Sequence, residues 1–499
     1  MDRHSIDDVG ARWIAGRLGC AFRMPVALLV AGAALGPGTA AAADWQTIEP
    51  GGETACAVGD YRFYARQDDP DRVFIHLDGG GACWDAETCA LDSGVYYTEV
   101  GPSPAQRDGV FDLGHPDNPV ASHSMLVIPY CTGDVHLGDR DTTYTLEKDD
   151  GTRETFTVPH RGLANAEAAL EWLYERFDAP EQIVVTGSSA GAVSTAFYAD
   201  QLARRYPDAR VLGLADAASA YRSGNDEGSG PNNRPQPFRA WGLPAVLQAY
   251  PGWEGYGADA TPTGFETLFI RAATAAPNLE LYTFDHAYDA AQQFYVRLTG
   301  TEEFDLLERI RANHADIARA SDSFRYFVAG GIEHTVIGRP GFYFYEAGGV
   351  AFHDWVADLV AGQPVESVVC ERCSRPALRY TRADLELIDG ALELLSSEER
   401  WTANDDARCE ESATTWSLYC AVVESARGLG EQPQAFAAFS DVIHSALDHL
   451  DYDRIPQRLL TYFNNAEQTG FDDVRSVLLD VRQRVSAGLG EGPSQPSAE

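Results

Sequence analysis

Gln182-Ile183-Val184-Val185-Thr186-Gly187-Ser188-Ser189-Ala190-Gly191 is the stretch on which the fold of this chain turns. Its first five residues are a short apolar, β-branched run of the kind that forms a strand buried on both faces. Ala190 to Tyr206 then carries helical spacing, with Pro207 just beyond it as a stop. The Gly-x-Ser-x-Gly letters alone occur by chance in many chains. Between a strand and a helix they describe a sharp turn that lifts the Ser189 hydroxyl to the top of a sheet, with small neighbours letting strand and helix approach. The stretch therefore predicts Ser189 as a nucleophile.

The surrounding elements follow the same pattern. Arg72 to Leu77, Ser124 to Pro129, Arg210 to Leu214, Leu279 to Phe284 and Phe324 to Val328 read as strands, and Ala164 to Phe177 as a helix. Alternation over residues 44–365 predicts an α/β fold, a mostly parallel sheet covered by helices on both faces, of α/β-hydrolase type. Acyl transfer needs donors for a tetrahedral oxyanion. Asp78-Gly79-Gly80-Gly81-Ala82 follows a strand upstream of Ser189, where glycines let backbone N–H groups turn inward. Gly80, Gly81 and the N–H of Ala190 are the expected donors.

In hydrolases of this type the acid and the histidine follow the serine in that order. His286, His314, His334, His353, His444 and His449 qualify. His334 stands in a loop after the strand Phe324–Val328, where a base belongs, whereas His314 sits in a helical stretch and His353 opens one. Asp285 and Asp289 follow the strand Leu279–Phe284, and Asp216 follows Arg210–Leu214. Periodicity does not choose among the three aspartates.

Four runs now stand together: Leu77-Asp78-Gly79-Gly80-Gly81-Ala82-Cys83-Trp84, Pro129-Tyr130-Cys131-Thr132-Gly133-Asp134-Val135-His136, Gly187 to Gly191, and Ala287-Tyr288-Asp289-Ala290-Ala291-Gln292. Over about residues 45–360 the chain resembles the pectin acetylesterase family, its bacterial members most closely. The resemblance implies a serine carboxylesterase with Ser189 as nucleophile, Asp289 as acid and His334 as base. Ala82 stands where a tryptophan is usual and Ala192 where a glycine is.

The two ends of the chain read differently. Arg12, Arg17 and Arg23, the apolar run Pro25 to Leu35 and the small residues Ala40 to Ala43 have the order of a secretory signal, with cleavage near Ala43 and Met24 as an alternative start. Residues 44–373 are the expected hydrolase domain. Residues 374–487, with helical spacing over Arg382–Leu395, Thr414–Arg427, Gln434–His449, Arg454–Ala466 and Phe471–Ser486, are the expected helical region. Residues 488–499 are Gly, Ser and Pro rich, the composition of a disordered tail. The Gly, Pro, Asn and Trp rich segment 221–264 reads as a lid or a long surface loop.

Eight cysteines lie beyond residue 43, an even number suited to an exported protein. Short spacings suggest Cys83–Cys89, Cys370–Cys373 and Cys409–Cys420, leaving Cys56 with Cys131. Cys370-Glu371-Arg372-Cys373 has no second CxxC or paired histidines to complete a zinc site, so a disulfide or two thiols is expected there. No metal or organic cofactor is implied.

The formal charge is −37, and losing residues 1–43 removes four arginines and three aspartates, leaving about −38. Such a chain has no basic stripe to displace the counterions of nucleic acid. Later apolar runs are too short to cross a bilayer, so no stable membrane insertion is expected. The field also repels polyanions at low salt. A neutral acetylated polysaccharide or a small acyl ester thus suits the chain as well as pectin does. A lipase-like fatty-acyl esterase and a noncatalytic binding protein on the same scaffold are the alternatives.

Overall fold

The computed structural model describes residues 44–148, 150–222, 240–243, 245–256, 264–410, 413–429, 435–450 and 459–490. In chain order its strands are β1 (Gln46–Ile48), β2 (Phe63–Arg66), β3 (Asp69–Leu77), β4 (His123–Ile128), β5 (Arg140–Glu147), β6 (Arg153–His160), β7 (Gln182–Ser188), β8 (Arg210–Asp216), β9 (Leu279–His286), β10 (Arg325–Ala329), β11 (Tyr345–Ala347), β12 (Val350–Ala351), β13 (Val368–Val369) and β14 (Ala377–Leu378). Nine of them form one sheet in the order β1-β2-β4-β3-β7-β8-β9-β10-β13. β2 runs antiparallel to β1 and β4, and each pair from β4 onward is parallel. This is the α/β-hydrolase arrangement.

The apolar runs are explained by burial on both faces. Ile183 and Val185 of β7 pack into one cluster with the helices Gly162–Tyr174, Ala190–Arg205 and Phe265–Ala273. Val184, between them, packs into the opposite cluster with the helix Phe352–Val360. Side chains alternate along a strand, so an apolar residue is needed at every position of a strand covered on both sides. Thr186 sits on the second face, with Val184, and bonds the ring of His76 on β3 at 2.8 Å.

Outside this sheet, β5 and β6 pair as an antiparallel hairpin and β11, β12 and β14 make a small sheet. Among the described residues from 382 onward, the helices Arg382–Leu394, Leu418–Gly428, Phe436–Leu447, Leu459–Asn465 and Phe471–Gly488 surround a core of their own. The helix expected from Thr414 starts at Leu418, where the Ser417 side chain accepts from Cys420 N and caps it. Ile332, and Tyr288 at its margin, reach into that helical core from the sheet side.

Cys56 is bonded to Cys131, Cys83 to Cys89, Cys370 to Cys373 and Cys409 to Cys420. The segment read as a secretory signal lies outside the described residues. So do 223–239, 244 and 257–263 of the segment read as a lid. The described part of that segment is no exposed flap: Trp241 and Trp253 are buried, and their indole N–H groups donate to Cys83 O and Asp200 Oδ2, both at 2.7 Å. Among the described residues no helix is long and apolar enough to cross a membrane.

Candidate active site

β3, β7, β8, β9 and β10 are parallel, so their C-terminal ends gather at one edge of the sheet. Asp78-Gly79-Gly80-Gly81 leaves β3 there, Ser189 leaves β7, Asp216 ends β8, His286 ends β9 and His334 follows β10. Ser189 is the N-cap of the helix Ala190–Arg205 with φ 54° and ψ −115°. A non-glycine residue in that region costs about 1–3 kcal/mol and persists only where its surroundings fix it. Here Ser189 N donates to Asp216 O at 2.7 Å, and β7 is paired on both sides. Ser189 itself is only partly covered, whereas Ser188 and Ala190 are buried.

His334 Nδ1 lies 2.7 Å from Asp289 Oδ2, with Asp289 fully buried and the histidine side chain 13% exposed. The same carboxylate caps the helix Ala290–Leu298: its Oδ1 accepts from Ala291 N and Gln292 N, each at 2.9 Å. Gln292 Nε2 donates to its Oδ2 at 3.1 Å. A carboxylate fixed by a helix terminus and an amide keeps His334 Nδ1 as the donor and leaves Nε2 as the basic nitrogen.

The other acids are used differently. Asp285 Oδ1 accepts from Ser219 N at 3.1 Å and Gln292 Nε2 at 3.0 Å, and its nearest imidazole is that of His314, at 3.4 Å. Asp216 accepts from Ser188 Oγ at 2.9 Å and, through Oδ2, from Val336 N at 2.8 Å and Ile337 N at 2.9 Å. Burial pushes the Asp216 carboxyl up to about 6, although these donors favour its charged form. Asp216 thereby ties the serine turn, through its carbonyl, to the histidine loop, through its carboxylate. Sequence reasoning offered it only as an acid, and no local pattern marks it as a clamp.

Among the remaining histidines, His314 is buried in the helix Leu306–Ala320 and bonds Thr283 Oγ1 at 2.9 Å. His353 stands beside Asp354 at 3.3 Å. His444 is buried in the helix Phe436–Leu447 and bonds Glu333 at 2.8 Å, while His449 packs on Phe463. His286 is fully buried, and burial holds its pKa down.

The glycine turn lies against Ser189. A Cβ placed on Gly79 would fall 2.8 Å from Ser189 Cβ and 2.7 Å from Ser188 O, closer than real side chains approach. Gly81 takes φ +73° and pairs with Tyr96 in a bridge. Ala190 opens its helix, where the first N–H groups have no intrahelical acceptor. Behind the turn, Arg107 grips Asp78 with both nitrogens, Nη2 to Oδ2 at 2.7 Å. Burial alone would raise the Asp78 carboxyl, but the Arg107 guanidinium outweighs it and holds the carboxyl low.

The Pro129-to-His136 run packs beside the glycine turn. His136 Nε2 donates to Asp78 O at 2.8 Å. Asp134 accepts from Thr132 Oγ1 and Gly162 N, both at 2.7 Å, and burial pushes it up to about 6.

Among the described residues, Cys83, Cys89 and His160 are near enough to share a metal ion. The two sulfurs are joined to each other, and His160 bonds Thr132 O and Tyr144 Oη at 2.8 Å each, so the group is not a ligand set.

Residues 60–222 match the model of the family described as pectinacetylesterase. Residues 379–484 match a family of unknown function, DUF6197. No curated protein matches the chain. Among solved structures, the Wnt deacylase Notum from Drosophila matches with a TM-score of 0.45 at 16% identity, covering 66% of this chain and 97% of that one. The family match supports a carboxylesterase-type hydrolase.

Proposed function

We propose that this protein is an exported serine carboxylesterase that removes acetyl groups, with carbohydrate esters as its substrate class. The observation that carries the reading is the buried Asp289 carboxylate 2.7 Å from His334 Nδ1, at the sheet edge where the strained Ser189 turn emerges. His334 Nε2 takes the proton from Ser189 Oγ, which attacks the acyl carbon. The tetrahedral oxyanion rests on the N–H groups of Gly80, Gly81 and Ala190. His334 returns the proton to the leaving alkoxide, then activates water against the acyl-enzyme. Asp289 holds the tautomer and stabilises the imidazolium. Residues 44–373 carry this chemistry, and 374–487 are a separate helical unit. Export from residues 1–43 is consistent with four disulfides, which persist in oxidising compartments.

The charge of −37 favours a neutral acetylated polysaccharide or a small ester over acetylated polygalacturonate at low salt. The test is a panel of p-nitrophenyl acetate, butyrate and octanoate with acetate release from neutral and anionic acetylated polysaccharides. The expected result is turnover of acetyl esters, abolished in Ser189→Ala. Preference for octanoate would make the protein a fatty-acyl esterase. No turnover and no reaction with a fluorophosphonate would make it a binding protein on this scaffold.

A further inference from the structure

We propose that the C-terminal helical unit is part of the esterase machinery, because its helix Phe436–Leu447 holds Glu333, the residue that precedes His334. The inference rests on the reading of His334 as the base. The helical unit matches a family to which no function is attached, so its contact with the histidine loop is the evidence for what it does.

The loop from β10 to His334 is first anchored through its backbone. Ala287 N donates to Ala329 O, Tyr288 N to Gly331 O and Ala290 N to Ile332 O, at 2.9 to 3.0 Å. Gly331 N donates to Cys373 O at 2.9 Å. Beyond His334, Val336 N and Ile337 N are held by Asp216. In between, Thr335 takes φ 60°, a left-handed conformation that is strained for a β-branched residue. The strained segment carries the imidazole, so its position depends on what grips the residues next to it.

Glu333 supplies that grip: Tyr345 meets it from its own side, and two further side-chain partners lie across the interface. Its Oε1 accepts from Ser440 Oγ at 2.7 Å and His444 Nε2 at 2.8 Å, and its Oε2 from Ile332 N at 3.1 Å. Ser440 and His444 are four residues apart, hence on one face of their helix, and both are buried, at 5% and 1% exposure. Burial alone would raise the Glu333 carboxyl, but His444 outweighs it and holds the carboxyl far below the usual range.

The helix is itself fixed from its next residue: Asp441 accepts from Arg375 Nη1 at 2.9 Å, Arg484 Nε at 2.8 Å and Tyr380 Oη at 2.9 Å. Ile332 completes the apolar side of the same contact. Glu333 thus faces the helical unit while its neighbour His334 faces Asp289. Ser440 and His444 are positioning residues, acting on the base through Glu333.

If His444 is lost, a buried carboxylate keeps only the neutral hydroxyls of Ser440 and Tyr345 as side-chain partners. It then protonates or turns towards water, and the backbone carrying His334 moves with it. Binding of a small ester does not use this interface, so the loss falls on kcat. The experiment measures kcat and KM for p-nitrophenyl acetate in full-length His444→Leu, His444→Gln, Ser440→Ala and Ser189→Ala, with thermal unfolding of each. We expect kcat at least tenfold lower in His444→Leu with KM within twofold. His444→Gln, which keeps an N–H donor near the same place, should recover most of the activity, and Ser440→Ala should lose two- to fourfold.

Wild-type kcat in folded His444→Leu overturns the inference. So does a Gln variant as impaired as the Leu variant, or a loss carried by KM. If His444→Leu does not fold, Ser440→Ala and Glu333→Gln decide: lowered kcat at constant KM supports the coupling, and unchanged kcat in both refutes it. An active wild type silenced by Ser189→Ala but indifferent to His444 defeats this inference alone. Activity that survives Ser189→Ala defeats the esterase reading beneath it.

Discussion

Asp289→Asn separates the two tasks of one carboxylate. In the wild type, Oδ1 caps the helix Ala290–Leu298 through Ala291 N and Gln292 N, and Oδ2 accepts from His334 Nδ1. Asparagine is itself a good N-cap, so Oδ1 keeps the first task. Its amide nitrogen then faces His334 Nδ1 and Gln292 Nε2, two donors. Gln292 is not free to turn over, because its Oε1 accepts from Ala220 N at 2.9 Å. The donor clash costs about 1–2 kcal/mol of stability.

The histidine can resolve its own clash by moving the proton to Nε2, which removes the base from Ser189. A wrong tautomer in a triad costs about 10⁴-fold in kcat, or about 5.5 kcal/mol of barrier. Asp289→Ala removes the cap as well and should cost a further 1 kcal/mol or so of stability. Asp285→Asn keeps Oδ1 for Ser219 N and Gln292 Nε2, and should leave kcat within about fivefold. The assay is p-nitrophenyl acetate turnover beside urea unfolding. The reasoning fails if Asp289→Asn keeps kcat within threefold of wild type, or if Asp285→Asn loses more than Asp289→Asn.

Gly79→Ala should fold but lose at least about tenfold in kcat, since its Cβ would press on Ser188 O and Ser189 Cβ; unchanged kinetics would contradict the close approach. Removing the Cys56–Cys131 disulfide, which spans 75 residues, should lower unfolding free energy by about 4 kcal/mol, read from denaturant midpoints. The protein should also lose stability in acid. His76, His123, His136 and His160 are held by burial at about 4, against about 6.5 unfolded, so their contribution is complete above pH 6.5 and lost as pH falls towards 4. Asp134 and Asp216, raised to about 6, oppose this, because protonating them below pH 6 relieves the folded state. At pH 5 each histidine costs about 2 kcal/mol and each aspartate returns about 1, so the histidines win. The thermal midpoint in 0.5 M salt should be lower at pH 5 than at pH 7, and an equal or higher one would refute the sign.

What could be read from the sequence followed how local its cause was. β7 and its neighbours were legible because a strand covered on both faces must be apolar at consecutive positions, as Ile183, Val184 and Val185 are. The hairpin β5–β6 was missed although Asp150-Gly151, with Gly151 at φ +79°, is a turn signal between Thr-rich runs. Its mostly exposed strands carry no apolar run. The short β1 and β2 were missed for want of length. The choice between Asp285 and Asp289 was not legible from periodicity: Asp285 lies near the end of β9 and Asp289 just beyond it, and what separates them is which one reaches His334, forty-five residues on from Asp289. The partners of Glu333 were beyond any local reading, since Ser440 and His444 come from a different core.

The central claim is that Ser189 Oγ is a nucleophile activated by His334. Its most direct test is incubation with a fluorophosphonate followed by peptide mapping in a mass spectrometer. The account predicts one adduct per chain, on Ser189, formed rapidly in the wild type and at least about 10³-fold more slowly in His334→Ala. Stoichiometric labelling on any other residue, or labelling of Ser189 at an undiminished rate without His334, would contradict it.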